Sequence, residues 1–333
     1  MTRPRPRASR PLRSVFKAGD LGELINALPA LFGFPPEDSL VTLGLHGPRI
    51  VFGMRLDLAD IREQDIDRTA ELAVRHLEQQ RAEGAITLAI GEPLDLGRRL
   101  VLATEARLVR VRPVAGGWAT DDRYWVSMAG GSPRGHGYRR SLDHPAAAQA
   151  VWEGQEIASS RAAMEAAMAP LEGDRLGEVE AMADRVLEDL LSQYGPDAET
   201  RHTAETHLAN DVAPALAELR DGKPVSDARL LRMAFLVTRT KIRDEAWRLI
   251  TLDNARDYVR VWLHVARHVP HDWAPSAYSL AAFACWMSGD GARSVMAAEQ
   301  ALRIDPDHPM AGLMRDLATS GISPQEWRWR AVS

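Results

Sequence analysis

The chain has 333 residues, 45% of them hydrophobic and 26% charged, with a formal net charge of -5. This is more than one typical domain and suits two, and the composition is that of an ordinary globular protein with ample apolar material for a core. No run approaches the roughly 18 apolar residues of a membrane helix. No apolar signal-like stretch follows the N-terminus, and the single cysteine, Cys285, excludes an intrachain disulfide and a cysteine zinc site. The expectation is therefore a cytoplasmic protein with no membrane partner. Its acidity argues against nucleic acid as a partner, apart from one basic tail.

That tail comes first. Residues 1–17 hold Arg3, Arg5, Arg7, Arg10, Arg13 and Lys17 with three prolines and no acid. Such a composition predicts a disordered basic segment over 1–19, either a solvated tail or a polyanion-binding arm. Asp20 is placed to cap a helix over Leu21–Leu31, with Gly33 ending it in a left-handed conformation and Pro35-Pro36 preventing its continuation. Ser39–Leu45 and Arg49–Leu58 read as a hairpin turning at His46-Gly47-Pro48, the second strand carrying Ile50, Phe52, Met54, Leu56 and Leu58 on one face. An amphipathic helix over Asp65–Gln80 closed by Gly84, a buried strand over Ala85–Ile90 and a helix over Leu94–Ala106 follow. A strand over Leu108–Val114, a turn at Gly116-Gly117 and a strand over Trp118–Val126 complete the pattern. The order β-β-α-β-α-β-β predicts a small α/β single-sheet domain over 20–135, followed by a Gly/Pro/Arg linker over 130–140.

A helical domain is predicted over 141–330. Its helices are placed at 145–169 (with a break at Gly154), 174–194, 198–219, 226–241, 244–250, 254–268, 276–288, 291–304, 309–320 and 324–330. The window 275–308 resembles one tetratricopeptide unit, extended to 320 by a third helix. Tyr278 takes the large first-helix position, Gly289-Asp290 the turn, and Ala282, Ser294 and Ala298 the close-packing positions. One such unit cannot bury its faces alone, so the window predicts stacked helical hairpins. The overall fold class is thus a small α/β domain followed by a mainly helical region.

No Gly-x-Ser-x-Gly elbow, Walker loop or His-Glu-x-x-His is present, which turns the expectation away from a known enzyme class and leaves any cofactor unknown. Asp38 at the turn can accept from backbone amides in an Asx turn. Arg55 and Asp57 point the same way from one strand and form either a salt bridge or a site. Arg134 lies in the Gly130–Gly137 loop, whose amides could nest an anion, although Pro133 removes one of them. Asp38, Ser39, Arg55, Asp57 and Arg134 are therefore the candidate ligand-binding residues. His264 and His268 have the i, i+4 spacing of metal ligands without a third group fixed by spacing, so no metal is expected; His202, Glu205 and His207 are weaker still. Trp125, Trp152, Trp247, Trp262 and Trp286 are expected as core anchors, and Cys285 as a small buried hydrophobe.

Several of these segments carry a family resemblance. Leu31 to Val41 (LFGFPPEDSLV), Arg55-Leu56-Asp57-Leu58, Ser160-Arg161, Leu280 to Trp286, Gly289-Asp290-Gly291-Ala292, Ala301-Leu302, Asp305-Pro306, Met310-Ala311 and Gly321 to Trp327 resemble the family called domain of unknown function 4192, over roughly 20–330. The resemblance implies an actinobacterial protein and brings no assigned activity, cofactor or catalytic residue. Many members carry cysteines shortly after the last strand of the first domain; Ser127–Pro133 has none.

Two functions compete. One is an interaction or regulatory protein that binds a protein or peptide through the C-terminal helices. The other is an enzyme or small-ligand binder of unrecognised type, with its site where the 33–39 turn meets Arg55, Asp57 and Arg134. A third reading, nucleic-acid binding by the tail, predicts that deleting 1–17 abolishes salt-sensitive DNA binding.

Overall fold

The computed structural model describes residues 18–128, 131–194 and 206–324. The basic tail, Gly130, His202, Glu205 and all but the first residue of the helix expected over 324–330 lie outside the described residues. The chain divides into two compact units, 1–158 and 159–333.

In the first unit, Asp20 accepts from the Glu23 amide (2.9 Å) and starts α1, Leu21–Ala27. The single helix expected over 21–31 is instead two, because Pro29 opens a separate turn, α2, Pro29–Phe32. Gly33 ends it with φ 77°. A six-stranded sheet follows in the order β2-β1-β3-β4-β5-β6. Its strands are β1 Ser39–His46, β2 Arg49–Asp57, β3 Gly84–Ile90, β4 Arg112–Ala119, β5 Arg123–Val126 and β6 His136–Gly137. Helices α3, Ile66–Gln79, and α4, Leu94–Glu105, cover one face. Leu40, Leu58, Ala89, Leu96, Leu100 and Val101 form a buried cluster there. On the other face Leu31 and Phe32 of α2 lie against Gly53, and Leu21 of α1 against Gly117.

The structure corrects three local expectations. Val51 has no partner on β1, since Leu45 pairs with Ile50 and Gly44 with Phe52; this bulge turns Ile50 to the Gly53 face instead of the Phe52 face. Arg81, not Gly84, takes the left-handed position after α3 (φ 51°). Gly84 begins β3, where a Cβ would stand 2.7 Å from Val114 Cγ2. Gly116-Gly117 is not a turn but the middle of β4: a Cβ on Gly117 would lie 2.1 Å from the Trp125 carbonyl oxygen. The reversal falls at Thr120–Asp122, closed by Thr120 N donating to Arg123 O at 2.8 Å.

The segment expected as a linker is tied to the sheet. β6 pairs with β5, the Tyr138 amide donates to Asp122 O (2.9 Å), and Asn26 bridges Arg139 O (2.9 Å) and the Ser141 amide (3.0 Å). Helix α5, Pro145–Trp152, follows, and the Ala158 amide donates to Gly33 O at 2.8 Å.

The second unit is helical. It contains α6 Arg161–Ala167, α7 Asp174–Tyr194, a π-helical turn over Leu208–Val212, α8 Ala213–Arg220, α9 Asp227–Val237, α10 Thr240–Arg248, α11 Ala255–Arg267, α12 Ala274–Ser288, α13 Gly291–Ile304 and α14 Pro309–Thr319. The helix expected over 145–169 is therefore two, α5 and α6, with Gly154 (φ 86°) after the first and the Ser160 hydroxyl accepting from Ala163 N (3.0 Å) at the start of the second. Ala274 to Met287 of α12 are all buried. The helix is enclosed by α9, α10, α11, α13 and α14.

At the tetratricopeptide-like window, Gly289 caps α12 with φ 85° and Asp290 caps α13, accepting from Arg293 N at 3.0 Å. Ser294 donates to Ala282 O (2.7 Å), so the two helices meet where small residues were expected. Tyr278 is buried and donates to Met168 O at 2.5 Å.

Candidate functional site

Four of the five candidate residues gather at one end of the sheet, where β1 begins and β2 and β3 end. Pro35 and Pro36 deliver the chain to Asp38, which has φ 40°, a left-handed backbone unusual outside glycine. Its carbonyl accepts from Leu58 N (2.8 Å) and its Oδ1 from Glu92 N (2.8 Å). Asp38 thus fastens the start of β1 to the end of β2 and to the loop entering α4. This differs from a local Asx turn: the amide it binds is 54 residues away. Gly91 (φ 87°) is what lets the loop come so close, since a Cβ there would stand 2.7 Å from the Asp38 amide nitrogen. Glu92 Oε2 then accepts from Leu94 N (2.8 Å) at the start of α4.

Ser39 is fully buried and donates to the Glu37 carbonyl. Arg55 pairs with Asp57 through both terminal nitrogens, one at 3.3 Å. Its side chain is only 9% exposed. The guanidinium lies 5.3 Å over the Phe34 ring, an aromatic face that attracts the cation. Arg140, which sequence reasoning passed over, holds the turn from the other side. It donates to Pro36 O (2.6 Å) and pairs with Asp121 (2.7 Å). No periodicity marks a loop arginine of this kind. The signal available was the Pro-Pro turn itself, whose carbonyls, in a segment without ladder bonds, need donors.

Arg134 is not brought to this place. It is exposed in the loop between β5 and β6, its carbonyl accepting from Arg123 Nη1 at 2.7 Å. β5 stands four strands from β2, about 19 Å at the usual spacing.

The geometry gives Asp38 a mechanical task. Asp38→Ala removes a charged acceptor and puts alanine at a left-handed position, and should cost about 2–4 kcal/mol. Asp38→Asn keeps an acceptor and tolerates that backbone, so its cost should stay within about 1 kcal/mol. Urea denaturation distinguishes them; equal losses would refute the backbone role.

The remaining candidates fall as follows. The His264 and His268 rings lie 4.3 Å apart, and His268 Nδ1 is 2.7 Å from His264 O. Burial and the adjacent His268 hold His264 below the ordinary imidazole value. Among the described residues no group of three or more His, Cys, Asp or Glu could hold a metal. His207 faces Asp211 (3.3 Å), which also binds Arg232 (2.7 Å). Cys285 is buried, and burial pushes its thiol up. Trp262 and Trp286 are core residues. Trp152 is not: it is 79% exposed, because the buried stripe of α5 is Ala147 and Ala150 and the helix ends at the indole. No helix among the described residues is long and apolar enough to cross a membrane.

A six-stranded α/β sheet, closed by a mechanical Pro-Pro turn and followed by helices around α12, defines the class of protein. The chain belongs to the family described as Domain of unknown function (DUF4192), whose model matches residues 22–325. No curated protein and no solved structure matches it.

Proposed function

We propose that the protein is an interaction or regulatory module rather than a catalyst, acting on a protein or peptide partner. The observation that carries this reading is Trp152, 79% exposed beside Val151, 55% exposed, at the end of α5. Tryptophan is among the residues most enriched in binding hot spots, its indole offering a large apolar face with a polar edge. The four polar candidates at the end of the sheet favour the same reading, being engaged with backbone groups or with each other. In the second unit α12 is enclosed, so its face is closed to a peptide, and the surface left to the C-terminal helices includes Leu313 on α14, 52% exposed.

Affinity capture from the native host, with Trp152→Ala and Leu313→Ala beside the parent chain, tests it. A partner enriched by the parent and depleted at least fivefold by one variant of unchanged melting temperature is expected. Identical recovered sets from all three proteins would overturn the reading.

A second reading, a small-ligand site at the 33–39 turn, has one observation in its favour. Asp38 is held in a strained backbone region, and such strain clusters at functional sites. A thermal-shift screen of small anions and cations, repeated on Asp38→Asn, tests it; no shift in the parent would remove it.

A further inference from the structure

Helix α14 begins on a histidine. His308 is buried and precedes Pro309, which occupies the first helical position and has no amide hydrogen to offer. The imidazole Nδ1 accepts from the Ala311 amide at 3.2 Å. The opposite nitrogen, Nε2, lies 3.3 Å from Ser276 Oγ, near the start of α12. One ring therefore both caps α14 and ties it to the central helix.

Both tasks fit the neutral ring. An Nδ1 that accepts from an amide must carry a lone pair, so Nε2 carries the hydrogen and donates to the serine. A second proton can only go to Nδ1. It would turn the acceptor into a donor pointing at another donor, and set a positive charge at a helix N-terminus, where the backbone dipole is also positive. Burial is the main force holding the ring neutral; Arg243 from α10 adds to it, Asp305 from the preceding turn opposes it, and the balance is below the ordinary value of 6.5.

We infer that His308 is a proton-operated latch: taking up a proton releases the first turn of α14 from α12. The neutral ring is the form the folded unit holds. Its contribution is therefore complete above 6.5 and is lost as pH falls below it, because the unfolded segment binds the proton more readily. α5 opens in the same way on His144-Pro145, with Nδ1 3.2 Å from the Ala146 amide. There too burial lowers the proton affinity of the ring, and the Glu23 carboxylate opposes it.

Hydrogen exchange on the full chain tests the latch. Protection of the 309–319 segment, corrected for the intrinsic pH dependence of exchange, is compared at pH 7 and pH 5 in the parent and in His308→Asn. Asparagine can cap the helix but does not titrate. The parent should lose protection about fivefold, which is what one lost cap does to a helix end, and His308→Asn should show no such loss. Equal losses in the two proteins, or unchanged protection in the parent, would overturn the proposal. Should the variant fail to fold, the His308 titration followed by NMR in the parent decides: a midpoint at or above 6.5 contradicts the latch.

Discussion

Gly117→Ala should destabilise the α/β unit by about 3 kcal/mol or more, or prevent it from folding. The added Cβ would stand 2.1 Å from the Trp125 carbonyl oxygen and 2.8 Å from Leu21 Cδ1. The leucine can turn aside, but the carbonyl cannot: Gly117 pairs with Val126 and Trp118 with Trp125, so moving it strips the β4–β5 ladder. Gly47→Ala is the matched control. Gly47 is left-handed (φ 55°) with nothing within 4 Å of its missing Cβ, so it should show only the conformational cost of about 1–2 kcal/mol. Thermal unfolding of the two variants beside the parent measures the difference. Equal losses would mean that the glycine in β4 is there for its torsions rather than for space.

Trp262→Ala is the second large effect, expected at about 3–5 kcal/mol, a fall of roughly 10 °C in the melting of the helical unit. Trp262 is completely buried on α11, in a stripe with Tyr258, Val259, Val265 and Ala266. Its indole Nε1 has no hydrogen-bond partner among the described residues. Trp262→Phe should therefore be far milder, about 1 kcal/mol, because it removes an unpaired buried N–H along with some volume. If phenylalanine proved as costly as alanine, the indole nitrogen would have to be making a bond that this packing does not include.

The same two sites illustrate what could be read in advance. Trp262 was placed in the core by helical spacing, which needs only local periodicity. Gly116-Gly117 was placed in a turn by the same local logic, and wrongly, because the glycine requirement comes from β5, Glu105 and Leu21, none of which is a neighbour in sequence. Trp152 was placed in the core by its position on an apolar face and is exposed, since α5 stops there and buries only alanines. The bulge at Val51 is a similar case: strict alternation put Ile50 with Phe52, and pairing with β1 turned it over.

The family motifs have a mechanical content that joins these observations. Gly33 ends α2, Asp38 fastens three segments, Ser160 caps α6, Gly289 ends α12 and Asp290 starts α13. They are punctuation in the chain, which is why they identify a fold more readily than a reaction.

The sequence by itself determined the order β-β-α-β-α-β-β, the helical character of the described residues after α5, the cap at Asp20, the stop at Gly33, the turn at Gly289-Asp290 and the hairpin at residues 46–48. All of these depend on interactions within a few residues, which composition and spacing encode directly. Only the tertiary structure decided that Arg134 lies apart from Asp38, Ser39, Arg55 and Asp57, that Arg140 and Glu92 complete their end of the sheet, that α12 is closed on every side, and that His308 caps one helix while touching another. Those relations join residues from 32 to 104 positions apart. Over such separations it is packing, not local preference, that determines which groups meet.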